Sequence, residues 1–189
     1  MLLTHADCHL VLIDIQEKLL PAMAGSAGVL ANAVKLATAA RHFGVPITIS
    51  EQYPKGIGHT VPELLEAAGP QAAVFEKLEF SCARNAALRE RAAAISRAGR
   101  RQMILCGIEA HVCVLQTVLD CICEGYQVHV VVDALGSRYP LDAEIAIRRM
   151  ECSGAYLTTT ESTMFEWCRQ AGTAEFKTLS AWLKEPPPS

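Results

Sequence analysis

Two hydrophobic periods alternate along the chain. His9–Ile15 (HLVLIDI), Pro46–Ser50, Ala72–Glu76, Met103–Cys106, Gln127–Asp133 and Ala155–Thr158 are short, mostly apolar runs. Such runs mark strands of a parallel sheet covered on both faces. Between them apolar residues recur every three or four positions, as on one face of a helix. Leu30, Ala33, Val34, Ala37 and Ala40 do so in Val29–Phe43, and Leu88, Ala92 and Ile95 in Arg84–Ala98. Beyond Gly107 the pattern resumes with Val114, Leu115, Val118, Leu119 and Ile122. Further helices are predicted over Val61–Ala68 and Leu141–Ser153, and near Ser162–Gln170 and Glu175–Lys184, with a loop over Glu51–Thr60. Gly44, Gly99, Gly125 and Gly154 each close a helix just before a strand, glycine being the residue that accepts the left-handed terminal position. This alternation predicts a three-layer α/β/α fold, a Rossmann-like doubly wound sheet of about six parallel strands with right-handed crossovers. The chain reads as one domain, 1–189, ending in a frayed tail over 185–189 (EPPPS).

Composition narrows the partners. A formal net charge of −3, with basic residues scattered, gives no bulk attraction for nucleic acid or anionic lipid. Aromatics make up only 6%, which argues against a base-stacking platform. No apolar run reaches the roughly 18 residues that span a membrane. The first residues, MLLTHAD, lack a basic n-region, so the eight cysteines read as reduced thiols rather than a secreted disulfide framework. Cys121-Ile-Cys123 lacks the two-residue gap of a zinc or thioredoxin motif. These features point to a cytoplasmic protein.

In an open α/β sheet ligands bind at the carboxyl ends of the strands. Those ends are Asp14, Glu51, Lys77, Gly107–Cys113, Asp133 and Thr158–Thr160. Asp14 is a carboxylate inside an apolar strand, which needs a cation or a proton. Lys77 is the candidate partner. Cys113 falls in the first turn of a helix, where free N–H groups favour a thiolate, so a depressed pKa is expected. Together the three can form a Cys–Asp–Lys triad with Asp14 as base. An inert Asp–Lys pair beside a packing cysteine fits the same spacing. Glu109 reads as a turn residue, His111 as a lid or interface residue, and Asp133 as a partner for loop N–H groups. Cys82 reads as a partly buried spectator, with a second reactive thiol as the alternative.

Three segments carry a resemblance: Ile13-Asp14-Ile15-Gln16, Glu76-Lys77 with Phe80-Ser81, and Gly107-Ile-Glu-Ala-His-Val-Cys113-Val114. They occur in the order found in the isochorismatase-like cysteine hydrolase superfamily, which the chain resembles over nearly its whole length. Glu51-Gln-Tyr-Pro54 and Gly107-Ile-Glu-Ala110 look most like the isochorismatase domain-containing protein 2 subgroup. Some relatives there carry a mitochondrion-associated ribonuclease label, which leaves mitochondrial association open. The resemblance implies a triad of Asp14, Lys77 and Cys113 and a cis peptide between Ile108 and Glu109. It also implies an oxyanion hole from the backbone N–H groups of Glu109 and Cys113. Gln16, Tyr53 and Phe80 are expected to line the pocket.

Nicotinamidases of this superfamily bind a metal through Asp-x-His after strand two; here Glu51-Gln52-Tyr53 replaces it, so no metal or other cofactor is expected. Isochorismatases proper lack the cysteine. The expected activity is therefore hydrolysis of a small non-peptide amide through a cysteine thioester. A non-catalytic binding protein is the alternative, and ribonuclease or isochorismatase chemistry is disfavoured. Superfamily members are commonly oligomers, so a homo-oligomer is expected, and the apolar stripe Phe176, Leu179, Trp182 and Leu183 can pack on the parent sheet or on a second subunit.

Overall fold

The computed structural model describes residues 2–184; the tail 185–189 lies outside the described residues. Six strands form one sheet: β1 (Cys8–Ile13), β2 (Ile47–Gln52), β3 (Ala73–Lys77), β4 (Gln102–Ile108), β5 (Gln127–Gly136) and β6 (Tyr156–Thr158). Every pairing is parallel, in the order β3-β2-β1-β4-β5-β6. The order reverses between β1 and β4, and a crevice opens at the carboxyl ends of such a pair. The helices are α1 (Ser26–His42), α2 (Pro54–Ile57), α3 (Pro62–Ala68), α4 (Ala86–Arg97), α5 (Leu115–Cys123), α6 (Pro140–Cys152), α7 (Thr160–Cys168) and α8 (Ala174–Leu183).

Strand β1 shows why the residues from Leu10 to Ile13 had to be apolar. Leu10 and Leu12 join the core on one face of the sheet, with Leu36 and Ala40 of α1 and Met164 and Trp167 of α7. Val11 and Ile13 join the other, with Leu88 of α4, Val118 of α5 and Met150 of α6. Successive side chains of a strand point to opposite faces, so only a strand sandwiched between two helical layers buries both sets. Apolar burial on that scale stabilises each large side chain by about 1.5–3 kcal/mol.

The C-terminal stripe packs on its own chain. Leu179 is buried, Trp182 and Leu183 lie against the same core, and the Trp182 ring meets the His42 ring edge-on at 5.4 Å. It is therefore not a free face for a second subunit. Several boundaries differ from the pattern-based ones: β5 runs on past Asp133 to Gly136, and α2 lies within the expected loop Glu51–Thr60. Strand β2 runs on to Gln52, and β4 continues through Gly107 to Ile108.

Gly107 is required where it stands. It pairs with Ile13 across the β1–β4 ladder at φ +130°, and a Cβ there would lie 2.1 Å from the Ile13 carbonyl oxygen. Any other residue would push β4 away from β1 one position before Asp14.

Candidate active site

Three strand ends and one turn deliver the site. Asp14 follows the last residue of β1 and takes up φ 54°, a left-handed conformation that aspartate tolerates better than most residues. Its N–H donates to Ser50 O on β2 at 3.1 Å. Lys77 ends β3 in register with Gln52 of β2. Cys113 lies beyond β4, past a cis Ile108–Glu109 peptide, in a wide π-type turn (Ala110–Val114) that opens α5. The Val114 N–H reaches back five residues to Glu109 O at 3.3 Å.

These groups meet below the surface. Lys77 Nζ donates to Asp14 Oδ2 at 2.6 Å, and both side chains are fully buried. Ser50 Oγ donates to the other carboxylate oxygen at 2.7 Å. The Cys113 thiol lies near enough to Asp14 for each to shift the other's ionisation, and Cys113 itself is 5% exposed. The Thr117 hydroxyl caps the Cys113 carbonyl at 2.7 Å and accepts the Cys82 N–H at 2.9 Å. The alternation of β2 explains this gathering: Ser50 and Gln52 point to the face that meets Asp14 and Lys77, while Glu51 points the other way.

The electrostatics follow from burial. Desolvation raises the Asp14 carboxyl above its ordinary value, while Lys77, Ser50 and Cys113 pull it down without cancelling the burial. Burial, the largest single influence, works against the Lys77 ammonium, but the charge and hydrogen bond of Asp14 together with the Cys82 and Cys113 thiols outweigh it and the net direction is up. The pair is therefore an ammonium beside a carboxylate with heightened proton affinity. For Cys113 the expected depression is reversed. Burial first, then the Asp14 charge, push the thiol well above its ordinary value, and Lys77 offsets only part. The position at a helix start does not lower it, because burial and the neighbouring carboxylate act more strongly. The resting group is a thiol.

The remaining residues fall into place unevenly. Gln16 is fully buried, and its amide is spent on the β2–α2 loop: Nε2 donates to Gln52 O (3.0 Å) and Gly58 O (2.6 Å), and Oε1 accepts the Gln52 N–H (2.7 Å). It holds the loop and offers no polar atom to a pocket, a correction that follows from its position inside the β1 turn. Tyr53 and Phe80 are half exposed, at 50% and 54%. Tyr53 borders an open cleft of about 370 Å³ beside Lys77 and Leu78 at the β3 edge. The Phe80 carbonyl accepts from Lys77 Nζ at 3.3 Å.

The Glu109 carboxylate turns to Arg138, 3.5 Å away, and His111 Nδ1 pairs with the Ser137 hydroxyl at 3.0 Å, tying the cysteine turn to the loop after β5. Asp133 Oδ1 accepts the N–H and hydroxyl of Thr160, although Asp133 lies within β5, which runs on to Gly136, and not at its end. Glu51 accepts from the N–H and hydroxyl of Thr60 and meets His59 at 3.0 Å. Among the described residues no group of three or more His, Cys, Asp or Glu could hold a metal ion. No helix among them is long and apolar enough to cross a membrane.

Sequence reasoning missed Ser50 and Gln52. Ending β2 at Ser50 put Glu51 on the list of strand ends; following the two-residue period two steps further would have found both.

The isochorismatase domain model matches residues 8–162. "Isochorismatase domain-containing protein 2A" of Mus musculus is 41% identical over 179 residues, 95% of this chain and 84% of that protein. Among solved structures, the "MAR1 Ribonuclease from Caenorhabditis elegans" superposes with a TM-score of 0.91 at 34% identity, over 100% of this chain and 95% of that one. YcaC of Pseudomonas aeruginosa, "with hexane-2,5-diol and covalent acrylamide", gives 0.85 at 27%, over 96% and 94%. YcaC of Escherichia coli, described as "an octameric hydrolase of unknown specificity", gives 0.87 at 28%, over 96% and 90%. With the family model covering most of its length and a curated relative aligned along nearly all of it, the chain belongs to the isochorismatase domain family.

Proposed function

We propose that this protein is a metal-independent cysteine hydrolase of a small, non-peptide amide, with Asp14, Lys77 and Cys113 as its catalytic triad. The observation that carries the reading is the buried Asp14–Lys77 pair at 2.6 Å with the Cys113 thiol on the same carboxylate. A thiol with raised proton affinity needs a base at hand, and a carboxylate whose own affinity is raised is a matched acceptor. As Sγ attacks the carbonyl carbon, its proton passes to Asp14. The backbone N–H groups of Glu109 and Cys113 receive the negative charge that develops on the carbonyl oxygen. The C–N bond breaks as Asp14 returns the proton to the leaving nitrogen, giving ammonia or an amine and a thioester. Water, deprotonated by Asp14, then cleaves the thioester to a carboxylic acid and restores the thiol. Lys77 keeps Asp14 ionised between steps.

A nucleophile only 5% exposed favours a slim substrate over a polypeptide. The covalent acrylamide named for the Pseudomonas YcaC supports a reactive nucleophile in a relative and an amide-sized ligand. The ribonuclease name of the nematode neighbour is weighed against a net charge of −3 with no basic stripe, which RNA binding would use. The octameric description of the Escherichia coli relative supports a homo-oligomer here. Its contact surface would include Tyr139, Leu141 and Ile145 at the start of α6, all exposed. The test is a screen of small aliphatic and aromatic amides, with and without EDTA. Turnover by the wild type in EDTA, absent from Cys113→Ala, is expected; equal turnover by both proteins would refute the reading.

A further inference from the structure

An ammonium group has three protons to give. Lys77 Nζ has three acceptors around it: Asp14 Oδ2 at 2.6 Å, Gln52 Oε1 at 2.7 Å and Phe80 O at 3.3 Å. No N–H is left over for a substrate or for the thiol, so Lys77 can influence Cys113 only through its charge. The place of that charge then depends on what aims the flexible lysine stem.

Gln52 is built for the task. Its carboxamide is fixed at both ends, Oε1 by Lys77 and Nε2 by the Leu78 carbonyl at 2.9 Å. Its backbone is clamped by the buried Gln16 amide, which accepts the Gln52 N–H and donates to the Gln52 carbonyl. The parallel register sets Gln52 directly across from Lys77. A chain of polar contacts thus runs from Gln16 through Gln52 and Lys77 to Asp14 and the thiol.

We infer that Gln52 is a positioning residue that holds the Lys77 ammonium against Asp14 and so sets the ionisation of Cys113. The inference rests on the triad reading, but its test does not require the substrate. Gln52→Glu keeps the size of the side chain and places a negative charge beside Nζ, cancelling part of the field that Lys77 exerts on the thiol. Gln52→Met removes the acceptor, so the third ammonium proton must turn to solvent and draw Nζ from Asp14. In both variants the thiol becomes harder to ionise. A rise of about one pKa unit cuts the thiolate fraction tenfold, and the gain in nucleophilicity returns part, leaving alkylation about threefold slower.

The experiment is iodoacetamide labelling of Cys113 at fixed pH between 7 and 9, followed by peptide mass spectrometry. The exposed Cys123 serves as an internal reference within each protein. Slower labelling of Cys113 in both variants, with Cys123 unchanged, is the expected result. A merely structural Gln52 predicts the opposite sign, because a loosened site exposes the thiol and speeds labelling. Faster, unchanged or wholly absent labelling of Cys113 would overturn the inference. If labelling slows as expected but no amide is ever hydrolysed, the proposed activity fails and the positioning role stands.

Discussion

Lys77 Nζ stands 2.6 Å from Asp14 Oδ2, with both side chains sealed from solvent. Two charges buried together offset each other's desolvation only while both are present. Removing one leaves the other stranded, at a cost of about 3–5 kcal/mol.

Lys77→Met should therefore be destabilised by about 3 kcal/mol near pH 8, where the stranded Asp14 must either stay charged or take up a proton. The sign of the pH dependence is fixed by the raised Asp14 pKa. A carboxyl whose folded pKa lies above its unfolded value loses stability as pH rises from the unfolded pKa through the folded one. Losing Lys77 raises the folded value further, so the deficit of the variant should shrink towards pH 5. Melting temperatures of both proteins at pH 5 and pH 8 check this; a deficit that grows at low pH would contradict it.

Bulk alkylation should strike elsewhere before it strikes the nucleophile. Cys123 and Cys152 are exposed, whereas Cys113 is buried and its thiol is held protonated by burial and by Asp14. Iodoacetamide at pH 7.5 should label the two exposed thiols faster than Cys113, by on the order of tenfold. Peptide mapping over time measures the order directly, and labelling of Cys113 first would contradict the resting thiol.

Gly107→Ala should damage the site without touching a catalytic side chain. Its Cβ would lie 2.1 Å from Ile13 O and 2.7 Å from Ile13 N, both backbone atoms of the neighbouring strand. The strands must part just before Asp14, and a loss of about 3 kcal/mol or more is expected, together with turnover. Chemical denaturation against the wild type tests it; a stability within about 0.5 kcal/mol of wild type would show that the ladder tolerates the opening.

The sheet was legible in the sequence because a parallel strand buried on both faces leaves almost no choice of residue, as Leu10, Val11, Leu12 and Ile13 show. Asp14 and Lys77 were legible for the converse reason, as charges set at the ends of apolar strands. What stayed hidden depended on contacts across the sheet. The protonation of Cys113 follows from its burial and from the carboxylate beside it, and Gln52 stands across the sheet in register with Lys77. The sequence left open whether the α8 stripe packs on its own chain or on a second subunit, because its contact with His42 of α1 joins residues far apart in the chain.

The protein should assemble through another surface. With α8 packed on its own core, the exposed Tyr139, Leu141 and Ile145, gathered at the start of α6, are apolar residues that can form a subunit contact. Light scattering at micromolar concentration should give a multiple of the 20.4 kDa chain mass, and Leu141→Glu should lower it. A wild-type monomer would contradict this.

The central claim is that Asp14 takes the proton from Cys113, and Asp14→Asn isolates that step. Asparagine accepts the left-handed backbone at this position as readily as aspartate and matches the side chain in shape. The variant should fold and bind ligand with near wild-type affinity, yet lose turnover by about 10²- to 10⁴-fold, the range for a general base. Its loss should not add to that of Cys113→Ala, since the two act on one step. A non-catalytic binding protein would show intact affinity and no activity in either form. The decisive measurement is kcat of Asp14→Asn on the amide that the wild type hydrolyses: the account predicts near-complete loss in a folded protein, and turnover at the wild-type rate would contradict it.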